Sequence, residues 1–211
     1  MDRTSAATDV LVGLVALAGV VELSRLGRRP PFKARVWSGV FGLLALAAAL
    51  GAVSHGLVLP KAVNDFLWHP LYLALGLTVA LFGVGVIHDL GGARAARRAL
   101  PAMAAVGVGF YLHRWLTSGS FLAFIGYEAI VIGAALLAYA TLAMRRQLAG
   151  AGMMTAGILF TLAAALVQSS PTASARIVWE FDHNGLFHLL QVPGLIFLIL
   201  GLRRSLASDG P

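Results

Sequence analysis

Long apolar stretches alternate with short polar breaks along the whole chain. A hydrocarbon core about 30 Å thick takes roughly 20 apolar residues in a helix, and seven stretches approach that length. The pattern predicts an all-α, polytopic membrane protein in which residues 1–211 form a single seven-helix transmembrane domain. The predicted helices are Ala7–Leu26, Val36–Leu59, Leu67–Leu90, Leu100–Leu116, Phe121–Met144, Gly150–Ser169 and Asp182–Leu202.

Basic residues are concentrated in alternate breaks between these helices. Cytoplasmic loops of membrane proteins are enriched in Lys and Arg, so this pattern predicts an N-terminus outside and a C-terminus in the cytoplasm. The remaining breaks contain one basic residue each, Lys61, Arg114 and Arg176. The basic breaks contain Arg25, Arg28, Arg29, Lys33 and Arg35 after the first helix, Arg94, Arg97 and Arg98 after the third, Arg145 and Arg146 after the fifth, and Arg203 and Arg204 after the seventh.

The composition supports a membrane protein and excludes several other classes. Apolar residues make up 59% of the chain and charged residues 12%, which is incompatible with a soluble globular domain. The net charge is +7, but the basic residues are not gathered on one surface, so we expect no nucleic-acid partner. The chain has no cysteine, which excludes disulfides and thiolate metal sites. We expect a multi-pass protein of a bacterial inner (plasma) membrane with membrane lipids as partners.

Histidines collect at one side of the predicted bundle. Ionisable side chains are costly inside a membrane and therefore indicate functional sites. His55 lies near the outer end of the second helix, and His183 and His188 lie near the outer end of the seventh. His69 and His113 also fall on the outer side, next to tryptophans typical of the membrane interface, which leaves one histidine, at position 88, on the cytoplasmic side.

Imidazole and carboxylate ligands without thiolate suit a zinc site that has three protein ligands and an open water position. Zinc lowers the pKa of its water toward about 7 and produces a hydroxide nucleophile. Asp65 and Asp182 are candidates for proton transfer or for orienting a ligand histidine. His183 and His188 are five residues apart and do not share a helix face, although Asp182 as an N-cap would place His183 in the first turn. Asn184 does share a face with His188.

The order of these residues resembles the CREST superfamily of seven-helix membrane hydrolases, which includes the alkaline ceramidases and the progestin and adipoQ receptors. That family has a Ser and a His late in the second helix, a later Asp, and an H-x-x-x-H pair in the seventh helix. Ser54, His55, Asp65 and the segment 182–188 stand in corresponding places here. The resemblance implies zinc as cofactor, bound by His55, His188 and a third histidine, for which His183 is the candidate. It also implies amide hydrolysis of a ceramide-like lipid substrate, with Ser54, Asp65 and Asp182 as catalytic residues.

Two positions depart from the family pattern. Ser54 is adjacent to His55, and Gly51 stands where the family has its Ser. The pair in the last helix is H-x-x-x-x-H, so that Asn184 stands where the first His belongs. Three alternatives follow: His183 reaches the metal from a distorted turn, the third ligand is a different residue, or no metal binds.

Two other functions compete with the hydrolase hypothesis. One is a redox protein in which histidines from different helices bind haem as axial ligands. The other is a noncatalytic complex subunit, sensor or transporter whose histidines respond to external pH. The sequence does not indicate the oligomeric state.

Three further carboxylates in the predicted helices have possible roles. Glu128 could be a further metal ligand, a proton acceptor or the ion-pair partner of Arg114. Glu22 and Asp89 are near cytoplasmic helix ends, where we expect them to pair with arginines. Gln168 and Gln191 lie near the outer histidines and could extend a cavity there with hydrogen-bonding groups.

Overall fold

The computed structural model describes residues 2–25, 31–117, 122–176 and 178–208. These residues are almost entirely helical, as predicted, and each of the six helical elements is long and apolar enough to cross a membrane. One short antiparallel ribbon, in which Ala175 is opposite Phe181, precedes the last helix. In chain order the elements are α1 (Arg3–Ser24), α2 (Phe32–Gly56), α3 (Lys61–Thr117), α4 (Leu122–Met144), α5 (Ala151–Gln168), β1 (Ala175–Arg176), β2 (Glu180–Phe181) and α6 (His183–Ser208).

The long element α3 consists of two helices that meet at Gly92. Gly92 has φ 77° and ψ 177°, a conformation that glycine adopts at little cost. The helices 61–91 and 93–117 fold back on each other. Their backbones come so close that a Cβ atom built on Gly76 would lie 2.6 Å from the carbonyl oxygen of Gly107. The polar break predicted between Leu90 and Leu100 is therefore one non-helical residue. Alanine and arginine, which favour helices, continue the helix on its C-terminal side.

Contacts between helix ends show which ends lie together. The backbone N–H of Asp2, before α1, donates to the carbonyl of His55 at the end of α2. Gln168 at the end of α5 donates to Asn184 at the start of α6, over 2.6 Å. A ring contact joins the two ends of α3. We call this side of the bundle, which contains His55, His69, His183 and His188, the histidine end.

A buried ion pair joins four elements at the opposite side of the bundle, which we call the basic end. Nζ of Lys33 in α2 lies 2.5 Å from Oδ1 of Asp89 in α3, and the two side chains are only 2% and 3% exposed. The Tyr139 hydroxyl of α4 donates to the second Asp89 oxygen over 2.8 Å. The Lys33 ammonium also donates to the hydroxyl of Ser205 in α6. These contacts align four helix ends.

The expected arginine pairing is confirmed for Glu22 and wrong for Asp89. Glu22 lies 3.2 Å from Nη1 of Arg25 and 3.0 Å from Nε of Arg203. Asp89 instead takes Lys33 as its partner. The reason is that α2 begins at Phe32, before the predicted start at position 36, so that Lys33 lies inside the packed helix.

Two aspartates fix the starts of α1 and α6. The Asp2 carboxylate accepts from the backbone N–H of Ser5 over 3.0 Å, so α1 begins earlier than predicted. Burial acts to raise the pKa of Asp2, but hydrogen bonds from Ser5 and Thr4 outweigh it and lower that pKa below its usual value. Asp182 accepts from the backbone N–H of Gly185 over 2.9 Å, which confirms the predicted N-cap.

The last helix is longer than predicted. α6 extends to Ser208, beyond the predicted end at Leu202. The predicted end of the first helix at Leu26, the predicted start of the fifth at Phe121, and the basic residues Arg28 and Arg29 lie outside the described residues.

The helices pack through aromatic rings and glycines and leave large apolar side chains on the outside. Trp37 is fully buried, with its ring centroid 4.8 Å from that of Phe82. At the crossing of α5 and α6, a Cβ atom on Gly157 would lie 2.8 Å from the carbonyl oxygen of Gly194. Such close glycine contacts are typical of helices that pack in lipid. Among the exposed apolar residues are Leu14, Leu116, Ile130, Leu137 and Leu166.

Candidate functional site

A cavity of about 440 Å³ lies between the helices and extends from the histidine end toward the middle of the bundle. This volume lies in the range of small-molecule sites, about 300–1,000 Å³. Its deeper wall is apolar and includes Phe41, Phe82, Leu195 and Leu198. Its acidic and histidine lining residues are Asp9, His55, Glu128, His183 and His188.

An aspartate and a histidine in this cavity are in direct contact. Nε2 of His188 in α6 lies 3.2 Å from Oδ1 of Asp9 in α1, and Nδ1 lies 3.1 Å from the hydroxyl of Thr8. Two consecutive residues of α1 therefore hold both nitrogens of the imidazole. The Asp9 residue is 5% exposed, and its second oxygen, Oδ2, is buried with no hydrogen-bond partner among the described residues.

A glycine makes room for the Asp9 carboxylate. A Cβ atom built on Gly51 of α2 would lie 2.9 Å from both Asp9 oxygens. Gly51 is four residues before His55, so the two share one helix face. In the CREST pattern that the sequence resembles, a serine stands at the position of Gly51. In this chain the Asp9 carboxylate fills the space where a side chain at position 51 would lie.

Amide side chains from α5 and α6 also line the cavity. Gln168, Asn184 and Gln191 all line it, and Gln168 donates to Asn184 over 2.6 Å. The prediction that glutamines extend a cavity beside the histidines is confirmed in this respect.

The three histidines predicted to bind metal all line the cavity, but they do not form a metal site in the described residues. In that part of the chain, no group of three His, Asp or Glu side chains is placed to hold a metal ion. Both His188 nitrogens are engaged by protein atoms. The His55 ring packs edge-on against Trp68, with 5.8 Å between centroids. This arrangement does not fit a three-histidine zinc site.

Metal analysis tests the zinc prediction directly. If zinc binds as the sequence resemblance implies, purified protein contains about one zinc per chain. That zinc is lost from His55→Ala and from His188→Ala but retained in His113→Ala, a matched change at the same end of the bundle. A folded, zinc-free wild-type protein, after purification with zinc present, would contradict the prediction.

The candidate catalytic residues make their contacts outside the cavity lining. The Ser54 hydroxyl donates to Asn64 Oδ1 over 2.5 Å, and Asp65 pairs with Lys61 over 2.5 Å. Asp182 caps α6 and accepts from the Ser5 hydroxyl over 3.3 Å. None of these three candidates lines the cavity. Asp182 therefore ties α1 to α6 at the mouth of the bundle.

Two carboxylates belong to the site, and sequence analysis singled out one of them. Glu128 lines the cavity, and no ion pair between Glu128 and Arg114 occurs in the described ranges, where Arg114 contacts Tyr72 instead. Asp9 was missed. Its signal was an acidic residue within the first apolar stretch, where an ionisable side chain is costly without a function or partner.

One protein family matches the chain. A family of unknown function, DUF6962, matches residues 4–207, and the match includes every cavity-lining residue named above. The chain belongs to this family. No curated protein and no solved structure matches the chain.

Proposed function

We propose that this protein is a seven-span membrane protein whose cavity binds a small amphipathic molecule. Six elements have the length and composition of membrane spans. At 57 residues, α3 would be about 85 Å long if straight, almost three times the thickness of a hydrocarbon core. Its hairpin at Gly92 supplies two spans, which gives seven in total.

The orientation proposed for these spans has the histidine end outside and the basic end in the cytoplasm. α1 starts at the histidine end and α6 finishes at the basic end, as an odd number of spans requires. Arginines at the basic end, including Arg25 and Arg203 around Glu22, support a cytoplasmic location by the positive-inside rule.

The observation that carries the binding function is Oδ2 of Asp9, which is buried and has no hydrogen-bond partner within the described ranges. A buried acceptor without a partner costs about 1–3 kcal/mol, and a ligand that donates a hydrogen bond to Oδ2 would recover that cost. Glu128 adds a second carboxylate to the same cavity. The ligand therefore has an ammonium, amide N–H or hydroxyl group at its polar end and an apolar part that lies against Phe82 and Leu198.

A protein that senses or carries such a molecule would need only to bind it in this cavity and would not catalyse a reaction. Amide hydrolysis, which the resemblance implies, would use the same cavity, where carboxylate and imidazole groups could exchange protons. A fluorogenic long-chain amide distinguishes the two functions. A hydrolase releases the fluorophore with turnover, whereas a binding protein retains the intact amide.

Substitution of Asp9 by Asn tests the binding function. Asp9→Asn retains the shape of the side chain but removes its charge, and we expect tetradecylamine to bind about tenfold or more weakly, as loss of a charged hydrogen bond implies. Native mass spectrometry of protein released from detergent measures the bound amine. Tetradecyl methyl ether, which lacks a donor, should bind weakly to both proteins.

Glu180→Gln is the matched control, because Glu180 is an exposed carboxylate at the same end of the bundle. Its amine binding should equal that of the wild type. Equal binding of the amine by Asp9→Asn and wild type, or equal binding of amine and ether by the wild type, would rule out the proposed contact.

A further inference from the structure

A second pocket of about 440 Å³ lies between the two ends of α3 at the histidine end. Its walls come from residues 65–72 at the start of α3 and residues 111–115 at its end. Most of its side chains are aromatic, and Trp68 and Tyr72 line both this pocket and the central cavity. We call it the Arg114 pocket after its one arginine.

The guanidinium of Arg114 has few partners. It lies over the Tyr72 ring, 4.9 Å from the centroid, and one Nη2 contact reaches the Tyr72 hydroxyl at 3.4 Å. Its Nε is buried and has no hydrogen-bond partner in the described part of the chain. Within the same residues no carboxylate forms an ion pair with Arg114, and the acidic residue of the pocket, Asp65, pairs with Lys61 instead.

An oxyanion would complete this arrangement. A guanidinium presents its N–H groups as a planar fork that matches phosphate oxygens. A buried Nε–H without an acceptor is costly, whereas a hydrogen bond from it to a charged oxygen is favourable. Lys61 neutralises Asp65 at the pocket wall and so reduces its repulsion of an anion.

The aromatic walls indicate where such an anion would come from. Trp and Tyr side chains gather at the level of lipid headgroups, and the pocket has Trp68 and Trp115 on opposite ends of α3. We propose that the Arg114 pocket binds a phosphate group through the Arg114 guanidinium. The phosphate belongs either to a lipid headgroup of the outer leaflet or to a soluble phosphate ester.

Lipid binding by Arg114 variants tests this site. Native mass spectrometry compares phosphatidylglycerol with diacylglycerol of the same acyl chains, which lacks the phosphate. We expect wild type to retain phosphatidylglycerol preferentially and Arg114→Gln to bind it about tenfold or more weakly, since hydrogen bonds to charged groups are the strong ones. Calorimetry with glycerol phosphate tests the soluble source.

Two further variants make the result decisive. Arg176→Gln removes an exposed arginine at the same end of the bundle and should leave phosphatidylglycerol binding unchanged. Arg114→Lys retains the charge over Tyr72 and, if Arg114→Gln fails to fold, should still bind several-fold more weakly than wild type because the fork is lost.

Preferential binding of phosphatidylglycerol that depends on Arg114 supports a lipid source. Binding of glycerol phosphate alone, with the same dependence, supports a soluble source. Equal retention of phosphatidylglycerol and diacylglycerol without glycerol phosphate binding, or equal effects of the changes at Arg114 and Arg176, would overturn the proposal.

Discussion

Replacement of Lys33 by Met should destabilise the protein by about 3–5 kcal/mol, because it leaves the buried Asp89 carboxylate without its cation. The pair is almost completely enclosed, so water cannot replace the lost ammonium. The free energy of unfolding is measured by titration with sodium dodecyl sulfate, followed by circular dichroism. We expect the variant to unfold at a clearly lower dodecyl sulfate fraction than wild type.

Lys61→Met is the matched control for this change. Lys61 also lies 2.5 Å from an aspartate, but its side chain is 88% exposed, so the loss should be no more than about 0.5 kcal/mol. The double variant Lys33→Met with Asp89→Leu should recover much of the lost stability, since it leaves no buried charge. Similar losses for Lys33→Met and Lys61→Met would show that the buried pair has no special role.

Replacement of Gly76 by Val should separate the two helices of α3. A Cβ atom at this position would lie 2.6 Å from the backbone oxygen of Gly107 and 3.1 Å from the Phe110 ring, so the backbones must move apart. Overpacking of this kind costs about 1–3 kcal/mol. Because the clash is with backbone, we expect a value near the upper end in the same unfolding titration.

Gly109→Val provides the comparison within the same element. A Cβ atom on Gly109 meets nothing within 4 Å, so this change should alter the unfolding free energy by less than about 0.5 kcal/mol. If both valine variants unfold alike, the close approach at Gly76 does not hold the hairpin together.

Helix existence follows from local properties of the chain, and helix boundaries do not. Runs of leucine, alanine and valine were enough to locate each helix, because any such run must be helical to satisfy its backbone in an apolar setting. Hydropathy could not reveal that the arginines after Gly92 continue a helix or that Lys33 lies inside α2. Charged residues look like a break in hydropathy, whereas helix propensity and a distant aspartate decide their structure.

The sequence grouped the three candidate histidines on one side of the bundle but did not indicate which atoms each of them contacts. His55, His183 and His188 were expected on one level and do line one cavity. The pairing of His188 with Asp9 depends on how α1 packs against α2 and α6, and on the space above Gly51. Sequence spacing within one helix contains no information about such contacts between helices.

The buried Lys33 network also bears on how the protein is assembled. The chain is synthesised from its N-terminus, so in the proposed topology α2 enters the membrane before α3, and long before α6. During that interval Lys33 has neither Asp89 nor Ser205 as a partner, and a lysine near a helix end then extends its ammonium to water. In that topology the complete set of Lys33 contacts, to both Asp89 and Ser205, forms only after α6 has entered the membrane. A nascent chain that ends before α6 would then lack the Ser205 contact at the basic end.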